Sequence, residues 1–337
     1  MTLTGRRSVL QVHPTRRCNL RCLHCYSSSG PEVDETTELA VLQRAVADAA
    51  ALGYDVLGVS GGEPTLYRPL TELLRTARAH GMRTTVTSNG MLLTGRRLSE
   101  LAGLVDVLAI SLDGVPDSHV RMRRDRRAFT AMERRLPLVR ASGIPFGFIF
   151  TLTQFNVHEL AWVADFAVTS GASLLQIHPL EAEGNAVDAL PDAVPDVTEM
   201  LFSVLEAARL RSSTDLVVQL DLVERGSLVA RADRFLPYGD PDGDSDGDPA
   251  GRIGSWLSPL VVETDGAVVP LVHGFDRRYA LGDLHRAPLS DLARTWDPAP
   301  FRDLCRRVHT ELAGEAGPAF MNWYDEVTRA SRASLVG

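Results

Sequence analysis

Short β-rich runs and longer helical stretches alternate along most of this chain. The β-rich runs fall at Ser8 to His13, Val56 to Ser60, Thr84 to Thr87, Val105 to Ser111, Phe146 to Leu152 and Leu174 to His178. Between them, helical periodicity covers Glu38 to Leu52, Pro69 to His80, Arg97 to Gly103, Ala128 to Ser142 and Val157 to Ser170, several ending at a glycine suited to a helix C-terminus. A helix that carries the chain back over the sheet before each new strand produces a parallel sheet. The six units predict an α/β fold, a partial (β/α)6 TIM-like barrel. A further helix at about Val197 to Leu210 and a strand at Asp215 to Val223 complete a first domain over 1–225.

Composition then shifts. Asp, Gly, Pro and Ser dominate Tyr238 to Gly254, so 226–257 is expected to be a linker or mobile loop. Within it, Asp242 to Gly247 opens like a calcium loop, but its twelfth position is Ile253, where the motif needs a bidentate Glu. The remaining reading is an acidic loop able to cover a site. Over 258–337 a smaller α+β extension is expected. Leu260 to Glu263 and Ala267 to Val269 spell a hairpin around a two-residue Asp265-Gly266 turn, and helix follows to Arg332.

One barrel plus this extension accounts for the 337 residues, and 45% hydrophobic with 23% charged residues is an ordinary globular composition. A formal charge of -8 gives no attraction to a phosphate backbone, which argues against nucleic acid as a partner. No run reaches membrane-spanning length, and Ser8 to Pro14 lacks the apolar core of a signal peptide. A cytoplasmic location without a membrane partner is the expectation.

The chemistry is concentrated in the cysteines. Of 4 in the chain, Cys18, Cys22 and Cys25 share one loop with C-x3-C-x2-C spacing directly after the first predicted strand, where barrel enzymes place their chemistry. Such crowding is unlike a disulfide framework and reads as metal binding. Three thiolates on a four-iron cluster leave one iron open to substrate or cofactor. The alternative, in a non-catalytic binding protein on a barrel scaffold, is zinc completed by His13 or His24. Cys305 stands apart and reads as a buried structural thiol.

The cysteine loop, with Tyr26 just after its third cysteine, resembles the signature of the radical S-adenosylmethionine (radical SAM) superfamily. That resemblance implies one [4Fe-4S] cluster on Cys18, Cys22 and Cys25, with S-adenosyl-L-methionine on the open iron and Tyr26 beside its adenine. It also implies reductive cleavage to methionine and a 5'-deoxyadenosyl radical, which abstracts hydrogen from the substrate, and an external electron donor such as flavodoxin or ferredoxin. Gly61-Gly62-Glu63-Pro64 resembles the family's GGEP segment, which assigns Gly61, Gly62 and Glu63 to the methionyl amino group. Ser88 and Asn89 end the third strand and Ser111 and Asp113 the fourth; both pairs resemble segments lining the nucleoside. In the stretch from His119, Arg123 is placed on the cofactor carboxylate, and Asn156, Gln176 and His178 extend the series. Alone, each of these is an ordinary turn; their recurrence after consecutive strands gives them weight.

The C-terminal hairpin, followed by Gly282-Asp-Leu284, resembles the start of the SPASM or twitch extension of peptide-modifying members. Leu271 and about Ala287 stand where that pattern places its first cysteines. A single cluster is therefore expected, with the extension kept as a lid or substrate wall. The expected activity is radical chemistry on a small molecule or a peptide in secondary metabolism, with epimerisation, decarboxylation, dehydrogenation or carbon-carbon bond formation as outcomes. The few residues before the first strand favour a small molecule, and a peptide substrate would bring a separate recognition partner. Cys305 is the candidate hydrogen donor to a substrate radical.

Overall fold

The computed structural model describes residues 7–236 and 253–333. The N-terminal part runs β1 (Val9–Val12), α1 (Leu39–Ala51), β2 (Val56–Val59), α2 (Leu70–Ala79), β3 (Arg83–Ser88), α3 (Gly95–Leu101) and β4 (Val107–Ser111). Three short helices follow, α4 (Pro116–Arg123), α5 (Ala128–Glu133) and α6 (Leu136–Ala141), before β5 (Phe146–Leu152), α7 (Leu160–Ser170) and β6 (Leu174–Pro179). Then come α8 (Ala186–Ala189), α9 (Val197–Ser213), β7 (Val217–Leu220), β8 (Val223–Glu224), α10 (Arg225–Ala230) and α11 (Ala232–Phe235). The C-terminal part holds β9 (Leu260–Val262), β10 (Ala267–Pro270), β11 (Gly282–Asp283), α12 (Leu289–Thr295), α13 (Ala299–Ala313), β12 (Phe320–Met321) and α14 (Trp323–Ala333).

One 10-stranded sheet carries the fold, in the order β11-β10-β9-β1-β2-β3-β4-β5-β6-β7. Strands β1 to β7 are all parallel to their neighbours, as the alternation of strands and helices predicts. The six expected β/α units are thus joined by a seventh parallel strand, Leu174 pairing with Val217. The extension continues the same sheet: β9 pairs in parallel with β1, Leu10 against Leu260 and Val12 against Val262, and β10 and β11 add antiparallel strands outside it.

Strand burial shows what lies on each face. In β1, β3 and β6 every second residue is buried under the helices, while Gln11, Thr87, Gln176 and His178 at the alternate positions are partly open to a cavity. A parallel strand covered on both faces normally reads as a continuous apolar run, as Val56–Val59 does. The polar alternation in its neighbours marks a barrel that is hollow at one end.

Three expectations change. The helix expected over Ala128 to Ser142 is two helices, because Pro137 lacks an N–H and its ring would clash with the carbonyl one turn back. The hairpin turn has three residues: the Glu263 N–H bonds to the Ala267 carbonyl (2.9 Å), and Gly266 (φ 87°) takes the left-handed position that closes such a loop. The expected linker 226–257 is folded at both ends, as helix over α10 and α11, and at Ile253 and Leu257, which are buried in the core. The calcium-like segment Asp242 to Gly247 lies outside the described residues.

Tyr54, buried just before β2, ties this second end down by donating to the Leu257 carbonyl at 2.9 Å. Tyr54→Phe leaves that carbonyl unpaired and is expected to lower stability by about 1–3 kcal/mol in urea unfolding; an unchanged midpoint would mean that water reaches Leu257.

Candidate active site

At the C-terminal ends of the parallel strands lies a cavity of about 340 Å³. Cys18, Cys22 and Cys25 form part of its wall, with Tyr26, Gly61, Gly62, Ser88, Asn89, Ser111, Arg123, Gln176 and His178. Most of the expected cofactor and metal residues are therefore brought together at one place.

The cysteine loop is held by backbone contacts from several elements. Gly62 N–H donates to the Thr15 carbonyl (2.8 Å) and Glu63 N–H to that of Arg17 (3.0 Å). A Cβ at Gly62 would stand 2.3 Å from the Arg17 oxygen, so only glycine allows β2's exit turn to lie this close. Arg16 donates to the Ser27 and Ser28 carbonyls, and Asn185, in the turn after β6, donates from its side chain to Cys22 O (3.0 Å) and from its backbone to Cys25 O (2.9 Å). Gly184 beside it (φ 54°) makes an equally close approach to the Cys25 and Tyr26 carbonyls. The Ser29 N–H points at Cys25 Sγ (3.3 Å).

Three of the expected cofactor contacts are turned the other way. The Glu63 carboxylate is wholly buried and accepts from Thr65 N–H (3.2 Å) and hydroxyl (2.7 Å), Ser88 Oγ (2.9 Å) and Asn89 N–H (2.9 Å). It clamps the ends of β2 and β3 together and leaves Gly61 and Gly62 on the cavity surface. Asp113, expected on the nucleoside, faces Arg123 instead, with Oδ2 to Nε 2.5 Å and Oδ1 to Nη2 3.1 Å. Asn156 caps its own loop, bonding Thr153 through Oδ1 and the Asp113 and Thr151 carbonyls through Nδ2. Glu63 and Asn156 satisfy buried backbone groups that the sharp turns would leave unpaired, whereas the Asp113 carboxylate is taken up by the Arg123 side chain.

Arg123 lines the cavity but has two of its nitrogens committed to Asp113, and it sends Nη1 toward Cys22 Sγ at 3.7 Å. Burial works against the Asp113 charge, but Arg123, with His24 and His119 each 3.7 Å away, outweighs it and holds the carboxyl at about 2. Because that value lies below the ordinary carboxylate value of about 3.9, the pair's stabilisation is complete above about pH 4 and fades as pH falls toward 2. Burial also keeps His24 and His119 neutral, down at about 4, and pushes the thiols of Cys18 and Cys22 up to about 12 and about 11.

Also in the wall, Gln176 and His178 share Asp221 Oδ2, at 2.7 and 3.0 Å, and His178 Nε2 faces Glu181 at 3.5 Å. Burial disfavours the imidazolium, but Asp221 and Glu181 outweigh it and raise His178 to about 9, so the site presents a cation there. Tyr26 bonds Ser60 Oγ (2.9 Å), and its ring packs against His13 and His273, which stack on each other at 4.8 Å. Cys305 lies outside this cavity and lines a second one. Gln11, Ser60, Glu181, Leu271, His273 and Tyr324 also stand in this wall, beyond the residues that the sequence motifs mark. For Gln11 the signal was present, a polar residue at an alternate position of a parallel strand; Tyr324, on a helix far along the chain, had none.

The donor set suits a cluster. Among the described residues no three His, Cys, Asp or Glu side chains stand close enough to hold a single ion, so the zinc alternative finds no tetrahedral set. Three thiols from one loop, facing one cavity, suit the corners of a larger cluster, one to an iron.

A parallel barrel with three cysteines in the loop after its first strand defines a class of iron-sulfur enzymes. The profile of the radical SAM superfamily matches residues 12–167, and the chain is similar to members of that superfamily. It is 33% identical over 165 residues to the Fe-coproporphyrin III synthase of Methanosarcina barkeri, covering 48% of this chain and 41% of that one. To the PqqA peptide cyclase of Ruegeria pomeroyi it is 29% identical over 264 residues, 76% of this chain and 65% of that. It thus spans less than two thirds of the length of either relative. Among solved structures, anSMEcpe with bound AdoMet and a peptide superposes with a TM-score of 0.65 at 16% identity, covering 97% of this chain and 96% of the other, which shows the shared fold. Members of the family use a [4Fe-4S] cluster and S-adenosylmethionine.

Arg123→Met would leave Asp113 buried without its main partner and is expected to cost about 3–5 kcal/mol in urea unfolding at pH 7. Adding Asp113→Asn should recover most of it, and a single variant as stable as the parent would show that Arg123 does not support the loop. Gly62→Ala should leave a folded protein that takes up little iron on anaerobic reconstitution, because its Cβ displaces the Arg17 carbonyl; full iron uptake would show that the loop can yield.

Proposed function

We propose that this chain is a radical SAM enzyme that holds its cluster on Cys18, Cys22 and Cys25 and starts hydrogen abstraction from a peptide or small-molecule substrate in the cavity they face. The observation that carries this reading is the convergence of those cysteines with the Gly61-Gly62 turn, Asn89, Ser111 and Arg123 on one cavity at the strand ends. The bound cluster and S-adenosylmethionine supply the electron and the 5'-deoxyadenosyl radical. The residues of this chain do the rest: they position the cofactor and keep water from the radical.

Specific tasks follow from the geometry. Gly61 and Gly62 offer backbone that a methionyl group can approach closely, and Asn89 and Ser111 offer amide and hydroxyl groups suited to a ribose. Arg123 places positive charge beside Cys22, which favours its thiolate. Gln176, His178 and Glu181 line the same cavity from β6 and the chain after it and are assigned to the substrate, where His178 can hold or give a proton at Nε2. This moves Gln176 and His178 from the cofactor to the substrate. The sequence relatives include both a peptide cyclase and Fe-coproporphyrin III synthase, so both substrate classes stay in the proposal. Cys305 lines the second cavity and not the first, so a role as hydrogen donor would require the substrate to reach into the second cavity. The donor of the electron is a flavodoxin or ferredoxin of the same compartment, taken here as the cytoplasm; among the described residues no helix is long and apolar enough to cross a membrane.

Anaerobic reconstitution is expected to give a brown protein with about four irons per chain, and the reduced protein should form 5'-deoxyadenosine from S-adenosylmethionine. Cys18→Ala, Cys22→Ala and Cys25→Ala should each abolish that product and lower bound iron. Binding of one zinc without visible absorption, or nucleoside formation that survives all three substitutions, refutes the assignment.

A further inference from the structure

Against the cluster cavity lies a second one of about 210 Å³. Its lining comes from the chain leaving β7, from α11, from the residues before β9 and after β10, and from α13 and the start of α14. Leu222, Val223, Trp256, Phe301 and Trp323 make most of its lining apolar or aromatic. Asp221 at its rim is already bound to Gln176 and His178, which face the first cavity.

The two cavities share Leu271 and Tyr324 in their walls. Leu271 has φ 65°, a left-handed conformation unfavourable for leucine that persists only where the surroundings impose it. Its N–H is fixed on the Pro259 carbonyl at 2.9 Å. A strained residue held at a junction between a polar reaction cavity and an apolar one points to a function for the junction.

We infer that the second cavity receives a bulky apolar group of the substrate, about the size of a substituted aromatic ring, while the carbon that loses hydrogen stands in the first cavity beyond Leu271 and Tyr324. An apolar cavity of about 150 Å³ is enough to take benzene, so this one accommodates a ring with its attachment. The inference rests on the radical SAM reading and adds to it the chemical class of the substrate. That apolar group belongs either to an aromatic or large aliphatic residue of a peptide or to a free small molecule, and the probes below separate the two.

Reconstituted, reduced enzyme with S-adenosylmethionine is given N-acetylated amino-acid amides singly, and ethylbenzene in a separate arm, and 5'-deoxyadenosine is measured. The phenylalanine or leucine derivative, or ethylbenzene, is expected to raise nucleoside formation about tenfold or more over the serine and glycine derivatives. Val223→Phe and Leu222→Trp, which fill the second cavity, should remove that gain and keep the basal rate. An equal response to the serine derivative, or unchanged selectivity in both filled variants, overturns the inference. If the parent protein forms no nucleoside at all, the radical SAM reading fails instead. Fluorine NMR of 4-fluorotoluene then still tests the pocket: its signal should broaden with the parent protein and stay sharp with the filled variants, and identical spectra overturn the inference.

Discussion

Asp113 is fully buried, and its charge depends on a partner. Its carboxylate can remain there because Arg123, from the end of α4, lays two nitrogens against it while a third reaches Cys22. Removing a carboxylate from water without such a partner costs several kcal/mol. The chain after β4 must therefore return over the barrel mouth and deliver Arg123 to the cysteine loop. The same return sets Met122 O against the N–H of Leu23 at 2.9 Å, so a backbone bond closes what the ion pair begins. Asn156 then fixes the Asp113 carbonyl from the β5 side. One buried charge thus ties the loops after β1, β4 and β5 into a single wall, and the cysteines inherit its rigidity.

That wall has meaning only because the barrel is hollow behind it. Gln11, Thr87, Thr151, Gln176 and His178 all project from parallel strands into the cavity. Uncovered polar groups at these positions would be unstable in a packed barrel core, where buried polar atoms need partners. Here Gln176 and His178 bond Asp221 and Gln11 bonds His13, and the space left between them is the size of a ligand. The hollow also explains the helical half of the fold. With little apolar packing inside the mouth, stability comes from the outer layer between strands and helices, where Leu10, Val12, Leu57, Val86, Phe148 and Phe150 are completely or almost completely buried.

Much of this was legible in the sequence. Strand order, the parallel sheet and the position of the cysteine loop followed from hydrophobic periodicity and from the spacing Cys18, Cys22, Cys25. What could not be read was the direction in which short polar side chains turn. Glu63, Asp113 and Asn156 occur in loops where a ligand is expected, yet each spends its hydrogen bonds on the protein: Glu63 and Asn156 on backbone groups left open by the turns, Asp113 on the Arg123 guanidinium. Glu63 receives two backbone N–H groups and two hydroxyls. A motif identifies such a residue but does not say whether it serves the ligand or the turn that presents the ligand. Pro137 shows the converse case, a helix break that chain chemistry alone required. Tyr324 and His273 reach the site only through the packing of the extension, which no local pattern encodes.

The extension is where the fold departs most from a detachable lid. Through Leu260 to Val262 it is a strand of the barrel sheet, bonded to β1, and β1 carries the chain directly into the cysteine loop. Thr264 Oγ1 donates to the His13 carbonyl and Thr37 Oγ1 to that of Thr264, so the hairpin and the start of the cysteine loop are held in one register. A lid that opened by moving β9 would break the bonds that place β1. Access to the cavity must therefore come from elsewhere on its rim, away from the β1–β9 pairing that places the cysteines.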